Sequence, residues 1–385
     1  MIALVSLVMI IGLGGVYLYR HLNANLTVLN ADSQILAKRP ARTFPEGPHE
    51  PVNILVMGED SRDCAGCNID GLTNQGARSD TTILVHLSAD RKHAYGISIP
   101  RDSMVTRPEC KTPGGGVSPA ATNQMWNAAF AIGGPACTIA QVEQTTGIRI
   151  DHFVVVNFES FKGMVDAIGG VTVCLPQPVK DPLAQLNLPA GTQVLTGSDA
   201  LGYVRERHAI GDGSDLGRVQ RQQVFISAMI KQVMSAGTLT NPVSLIGFLD
   251  AATKGLTVDP GLGDVKKLAE LAYGFRSIGL NKIQFITVPW EYDPSDPNRV
   301  VWTSQANDVW TALKKDEPLS KTLTATALNA DDAPGGKANS GAKSGAKSGG
   351  ASGGGGTAGS TGATKAPKDL SAQKKQQMSQ AGLCT

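Results

Sequence analysis

The sequence predicts an α/β chain, α-β-α layered, behind one transmembrane helix. Three observations predict it. The runs "VNILVMG", "TTILVHL", "AYGISIP" and "HFVVVNF" are short and almost continuously apolar, as in strands covered on both faces. Segments with apolar residues at helical spacing alternate with them, which argues for layers around one sheet. Residues 2–19 are uncharged and mostly apolar.

At about 1.5 Å per residue that first segment reaches roughly 27 Å, enough to span hydrocarbon. A cleaved signal peptide is the competing reading. The run is longer than a usual h-region and no A-x-A site follows, so an uncleaved signal anchor over 1–20 is expected. Arg20, Lys38, Arg39 and Arg42 follow the segment and no basic residue precedes it. Taken alone, that charge bias puts the body in the cytoplasm. The cysteines argue the opposite. Six of them (Cys64, Cys67, Cys110, Cys137, Cys174 and Cys384) suit disulfides and an oxidising exterior. "CAGC" is followed by loop residues, which favours a local Cys64–Cys67 staple over a redox centre. Cys110 with Cys137 is the expected second bridge, leaving Cys174 for Cys384. The missing basic n-region fits a true start upstream of the one given.

The chain has 385 residues, 41% hydrophobic and 18% charged, with net charge +2. A sizeable core is available, and the charge advertises no nucleic acid. No zinc-finger spacing, P-loop, G-x-S-x-G elbow or Ser-His-Asp arrangement is present. Residues 21–50 read as a polar linker. Strands are expected at 52–58, 81–87, 94–100, 152–158, 171–175 and 283–290. Helical stretches broken at "GGP" are expected within 123–146, then helices at "ESFKGMVDAIGG", 216–235, 242–253 and 263–277. The body is assigned to 51–316. From about 331 the sequence loses Val, Ile, Leu and aromatics while "GAKS" repeats, so 317–385 is expected to be a flexible tail ending in Cys384.

Three acidic and basic clusters sit at strand ends, where ligands of open α/β sheets collect: "GEDSRD", "ARSDTT" and "IPRDS". Asp60 and Asp80 could give hard oxygen ligands to Mg²⁺ or Mn²⁺, with Arg62, Arg78 and Arg101 facing the same anion. Loop capping and mutual pairing are the plainer alternatives. A fourth stretch, "YVRERHAIGDGSDLGRVQRQQ", concentrates arginine. As a short strand it would point Arg205 and Arg207 to one face. Arg218, Arg221 and Gln222 fall on one side of the helix that follows, whose N-terminus favours an anion. Guanidinium forks match phosphate oxygens, so two arginine pairs across a glycine turn suggest a pyrophosphate clamp. The alternative is a surface ion-pair network with Glu206, Asp212 and Asp215. Asp215 itself is either a helix N-cap or a general base. His208 is a competing base.

Taken in order, "NILVMGEDSR", "ARSDTTILVHL", "ISIPRDS", "GIRIDHFVVVNFESFKGMVDAIGGVTVCLP" and "LTGSDALGYVRERHAIGDGSDLGRVQRQQ" resemble the LytR-CpsA-Psr family. The resemblance covers roughly 52–235 well and runs more weakly to about 315; the anchor and tail fit members from high-GC Gram-positive bacteria. It implies an extracytoplasmic α-β-α domain with a central mixed sheet and an apolar tunnel for a polyprenyl chain. It implies transfer of a glycopolymer from a polyprenyl-pyrophosphate carrier to peptidoglycan, as a phosphodiester on a muramic acid hydroxyl. Carried over residue by residue, Asp60 and Asp80 match the family's magnesium-associated aspartates. Arg62, Arg101, Arg205, Arg207 and Arg218 match its pyrophosphate-binding arginines, with Gln222 nearby, and Asp215 matches a proposed base. The "CAGCNIDGLTNQG" insertion and Glu59 depart from the pattern, and the tail stands where the family can carry an accessory domain. The resemblance does not choose among teichoic acid, teichuronic-type polymer, arabinogalactan and capsule. Hydrolysis to a lipid phosphate, or non-catalytic sensing of the carrier, are the alternative functions.

Overall fold

The computed structural model describes residues 2–42, 49–60, 78–182, 184–207, 209–211, 213–235 and 241–333, and residues 375, 378, 379, 381, 383 and 384 near the C-terminus. Its helices are α1 (Ile2–Asn25), α2 (Ala128–Thr146), α3 (Phe158–Ala167), α4 (Gly197–Arg205), α5 (Asp215–Ser235), α6 (Pro242–Lys254), α7 (Val265–Arg276) and α8 (Gln305–Lys314). The central sheet holds β1 (Thr27–Val28), β2 (Val52–Asp60), β3 (Arg78–Leu87), β4 (Ala94–Ile99), β5 (His152–Asn157), β6 (Leu256–Val258) and β7 (Ile283–Thr287). A hairpin, β8 (Trp290–Asp293) and β9 (Asp296–Trp302), stands outside it, and β10 (Leu328–Asn329) completes it.

The strand order is β1-β6-β5-β2-β3-β4-β7-β10. β2 pairs parallel with β5 and antiparallel with β3, and β4 pairs parallel with β7, so the sheet is mixed. Alternation along β2 sends Leu55 and Met57 to one face, into a core with Ile139 and Val142 of α2 and Val309 and Trp310 of α8. The other layer packs Val165 of α3, Tyr203 of α4 and Phe225 of α5 against Leu87 and Phe285 of the sheet. The α-β-α layering read from the alternating runs is therefore present.

Local chemistry explains several boundaries. The Asn157 side chain accepts from Ser160 N at 2.9 Å and caps α3, which ends before Gly169 at φ 77°. In α2 the expected break falls at Gly133 and Gly134, whose backbone leaves helical geometry just before Pro135. Residues 123–125, expected to open those helical stretches, belong to a strand, Ala121–Met125, instead.

Both boundaries of the expected body shift outward. The described part of 21–50 is no free linker: Leu22, Leu26 and Ala31 are buried, β1 joins the sheet edge, and Arg39 grips buried Glu143 through two bonds of 2.9 and 3.0 Å from Nε. Residues 317–333 are no tail: Leu319, Leu328, Ala330 and Ala333 are buried, and β10 pairs with β7. The loss of apolar residues that signals a tail begins only after them. The helix over the expected anchor continues to Asn25, and its stretch Leu4–Asn25 is long and apolar enough to cross a membrane. His21 and Asn25 bond Asp250 of α6 at 2.8 and 3.1 Å, which ties the helix end to the body.

Two expected disulfides form, Cys110–Cys137 and Cys174–Cys384. Cys64 and Cys67 lie outside the described residues. The second bridge joins positions 210 residues apart and seats Ala381 and Leu383 in the core. Closing so long a loop restricts the unfolded chain strongly. Cys384→Ser should therefore cost about 2–4 kcal/mol of stability, read as a lower melting temperature that the unreduced wild type does not show.

Candidate functional site

The site lies at the ends of β2 and β3. Val56, Gly58 and Asp60 alternate along β2 and share one face, with Val156 beside them on β5. On β3 strict alternation would send Asp80 and Thr81 to opposite faces. A bulge intervenes: Gly58 pairs with Thr81 but Glu59 pairs with Ser79, so Asp80 is the extra residue. Both Asp80 and Thr81 then line the same cavity.

That cavity has a volume of about 680 Å³. α3 contributes Phe158, Phe161 and Met164 to its wall, and α5 contributes Arg218, Gln222, Phe225, Ile226 and Met229. The α5 residues follow helical spacing, polar at the N-terminal end and apolar beyond. The cavity is thus charged at its mouth and apolar along its length.

The mouth is a cluster of guanidinium groups gathered by carboxylates. Asp80 Oδ1 accepts from Arg101 Nη1 at 3.0 Å, and its Oδ2 meets Arg207 Nη2 at 3.3 Å and Arg218 Nη1 at 3.4 Å. Asp215 Oδ1 accepts from Arg218 and lies 3.2 Å from Arg101 Nε. Arg205 reaches Asp60 at 3.6 Å and stacks over the Phe158 ring at 4.6 Å. Arg218 is 2% exposed, and its Nε has no hydrogen-bond partner among the described residues. It is a spare donor in a water-poor site.

The electrostatics follow from this crowding. Burial pushes the Asp80 carboxyl up, but Arg218, Arg101 and Arg207 outweigh it and hold it below the usual carboxylate range. Burial first, then the like charges of Arg218 and Arg101, pull Arg207 down to about 10, against support from Asp80 and Asp215. Burial and the nearby Asp215 push Asp102 up, more than Arg101 and Arg299 pull it back.

The structure brings together Asp60, Asp80, Arg101, Arg205, Arg207, Arg218 and Gln222 around this cavity. Two expectations change, for Arg205 and Arg221, and one of the two alternatives for Asp215 falls away. Arg205 closes helix α4 rather than lying on a strand, because Ala200, Leu201 and Tyr203 bury one side of that helix. Arg221 does not reach the cavity. It is fully buried and donates to the backbone oxygens of Glu206, Ile210 at 3.1 Å and Ala381 at 3.3 Å. The N-cap of α5 is Ser214, whose Oγ accepts from Gly217 N at 3.0 Å, so Asp215 is left to the arginines. Glu206, an expected ion-pair partner in this stretch, accepts from the backbone N–H of Ala209 at 2.8 Å. Arg62, His208 and Asp212 lie outside the described residues, as does the side chain of Arg78, whose backbone opens β3. The resemblance implies an apolar tunnel without naming its residues, and the spacing of Gln222, Phe225, Ile226 and Met229 carries the signal for its wall.

The donor set decides what metal could fit. Among the described residues no group of three His, Cys, Asp or Glu converges. A cage built from protein alone is therefore not offered. Asp60 and Asp80 both face the cavity mouth, which fits Mg²⁺ or Mn²⁺ held by one or two carboxylates and completed by phosphate oxygens and water.

Comparison with known proteins agrees with the fold. A model of the LytR_cpsA_psr family matches residues 18–316. The chain belongs to the LytR-CpsA-Psr family. It is 40% identical over 231 residues to the probable cell wall biosynthesis protein LcpB of Corynebacterium glutamicum, covering 58% of this chain and 52% of that protein. With LcpA of the same organism identity is 33% over 261 residues, covering 62% and 49%, so the chain spans about half the length of these curated relatives. A polyisoprenyl-teichoic acid–peptidoglycan teichoic acid transferase, TagU of Halalkalibacterium halodurans, is 30% identical over 291 residues, 72% of this chain and 88% of that one. A LytR-Csp2A-Psr enzyme from Actinomyces oris aligns with TM-score 0.53 at 24% identity, covering 72% and 97%, a likeness of fold. TagT bound to LI-WTA aligns with TM-score 0.51 at 25% identity, covering 74% and 98%.

Substitutions separate the roles of the arginines in this LytR-CpsA-Psr site. Arg221→Ala leaves three buried carbonyls without their donor and should lower stability by about 2–4 kcal/mol in a denaturant titration. Arg207→Ala should keep the fold and slow turnover by roughly 10²–10³. For wild type, kcat/KM should fall as pH rises through about 10, where Arg207 loses its charge. Lysine starts from only about 10.4 and meets the same burial and cations, so Arg207→Lys should move that alkaline limb to lower pH.

Proposed function

We propose that this protein is a phosphotransferase that moves a glycopolymer from a polyprenyl-pyrophosphate carrier onto peptidoglycan. The observation that carries the reading is the arginine cluster on Asp80 at the mouth of an apolar cavity. A pyrophosphate joined to a long hydrocarbon has that division of charge and apolar surface. TagU, named a teichoic acid transferase, and TagT, solved with LI-WTA, support it by likeness.

In this reading Arg101, Arg205, Arg207 and Arg218 hold the pyrophosphate, and Phe158, Phe161, Met164, Phe225 and Met229 enclose the first prenyl units. Arg62 and Arg78 are the further arginines that the sequence offers for this role. A muramic acid hydroxyl attacks the glycan-side phosphorus. A new O–P bond forms, the phosphoanhydride bond breaks, and polyprenyl phosphate leaves. Asp215 takes the hydroxyl proton. The arginines neutralise charge on the leaving phosphate, which is where preorganised cations contribute most. Asp60 and Asp80 would hold Mg²⁺ or Mn²⁺, which supplies further neutralisation of the phosphate oxygens when bound. We place the body outside the membrane on α1 as anchor. The two disulfides, which persist in oxidising compartments, support that side over the basic residues after α1.

The test uses the full chain in detergent with lipid-linked sugar, Mg²⁺ and peptidoglycan oligomer. The expected product is glycan joined to the oligomer through a phosphodiester. Free phosphosugar alone would show a hydrolase, and bound but unchanged lipid a sensor; either result sinks the transferase reading. Chelation should stop transfer, and Mg²⁺ or Mn²⁺ should restore it. Asp215→Asn should lower kcat with little change in donor affinity.

A further inference from the structure

A second cavity lies on the other side of α5. Its volume is about 650 Å³, close to that of the arginine-mouthed one. The two share the first turns of α5 as a wall. Arg218 and Gln222 face the first, while Leu216, Gln220 and Gln223 line the second. Their chemistry is opposite: among the described residues, no charged side chain lines the second groove. Amide and hydroxyl side chains alternate there with apolar ones. Trp290 and Tyr292, two apart on β8, both line it, with ring centroids 5.2 Å apart at 78°. Tyr292 is 54% exposed.

Neutral hydrogen-bonding groups beside one half-buried and one exposed aromatic ring fit a sugar, whose hydroxyls are polar at the edge and whose C–H faces are apolar. They do not fit pyrophosphate, which needs cations. Two polar atoms on the wall, Gln220 Oε1 and Thr303 Oγ1, are buried without a hydrogen-bond partner among the described residues.

The groove also adjoins the reacting end. Ser214, Leu216 and Gly217 line it on both sides of Asp215 in sequence, and Asp215 holds Arg218 and Arg101. The hairpin that carries the aromatic pair also grips the Arg101 loop. Arg299 meets Asp102 at 3.4 Å, Val300 N donates to Asp102 O at 3.2 Å, and Trp302 Nε1 donates to Ser103 Oγ at 3.1 Å. A ligand on the hairpin therefore bears on the loop that positions a phosphate-facing arginine.

We propose that this groove binds the uncharged sugar backbone of the acceptor glycan, with Trp290 and Tyr292 as its platform and the start of α5 as the point of delivery. The assignment rests on the transferase reading above. Donor and acceptor then occupy opposite sides of one helix, and Asp215 stands between them.

The experiment is calorimetric titration of the full chain in detergent, without donor. The probe is a tetrasaccharide of alternating N-acetylglucosamine and N-acetylmuramic acid, its lactyl groups capped as amides so that it is uncharged. Wild type should bind it with an affinity that does not change between low and high salt. Trp290→Ala and Tyr292→Ala, checked by melting temperature, should each weaken binding about tenfold, as truncation of an aromatic anchor does. Equal binding by wild type and both folded variants overturns the groove assignment. So does absence of binding. Binding that both variants lose, in a wild type that transfers nothing from donor to oligomer, keeps the groove and refutes the transferase.

Discussion

The site depends on one carboxylate holding three guanidinium groups together. Arg101, Arg207 and Arg218 all meet Asp80 within 3.4 Å. Without an anion among them such groups repel, and partial burial removes the water that would screen them. Asp80 supplies the anion, and Asp215 adds a second to Arg101 and Arg218. Burial first, and then the neighbouring Arg218 and Arg101, still lower the pKa of Arg207. Arginines in poor contact with water gain more from an incoming phosphate than an exposed patch of the same arginines would. The cost of assembling the cluster is met by folding, before the substrate arrives.

Three pieces of backbone make that cluster. The bulge in β3 turns Asp80 to the cavity face, the end of α4 presents Arg205 and then Arg207, and the first turn of α5 presents Asp215 and Arg218. Ser214 matters here because it caps α5 in place of Asp215. A carboxylate spent on backbone N–H groups could not also order two arginines. Arg221 holds the segment that leaves α4, through the carbonyls of Glu206 and Ile210, and joins it to the C-terminal stub through that of Ala381.

Much of this was legible in the sequence because it is local. Apolar runs gave the strands, helical spacing gave α5 to α7, and clustered charge at strand ends gave most of the site. The errors share a cause. Arg221 looks like Arg218 in sequence, and its real role depends on Ala381, 160 residues away. Residues 21–50 and 317–333 look like linker and tail because their few apolar residues find partners only in tertiary structure. Arg205 alternates with Arg207 as a strand would, yet the burial of Ala200, Leu201 and Tyr203 sets a helix. Propensity and local pattern are weak where packing decides.

The two faces of α5 give the molecule its functional logic. One face carries Arg218, Gln222, Phe225, Ile226 and Met229 into a charged-then-apolar cavity, and the other carries Gln220 and Gln223 into an uncharged groove. Gln223 is buried, bonded to Ser98 Oγ at 2.9 Å and Thr287 Oγ1 at 3.1 Å, so the helix is bolted to β4 and β7 between the two spaces. A helix fixed in that way cannot slide to favour one side. Hydrophobic packing alone would allow small shifts in register, but two side-chain hydrogen bonds at a buried amide are directional and costly to leave unmade. In the proposed transfer, that anchoring sets where Asp215 stands between donor and acceptor, and misplacement of a reacting group by about 1 Å can cost roughly 10²-fold in rate.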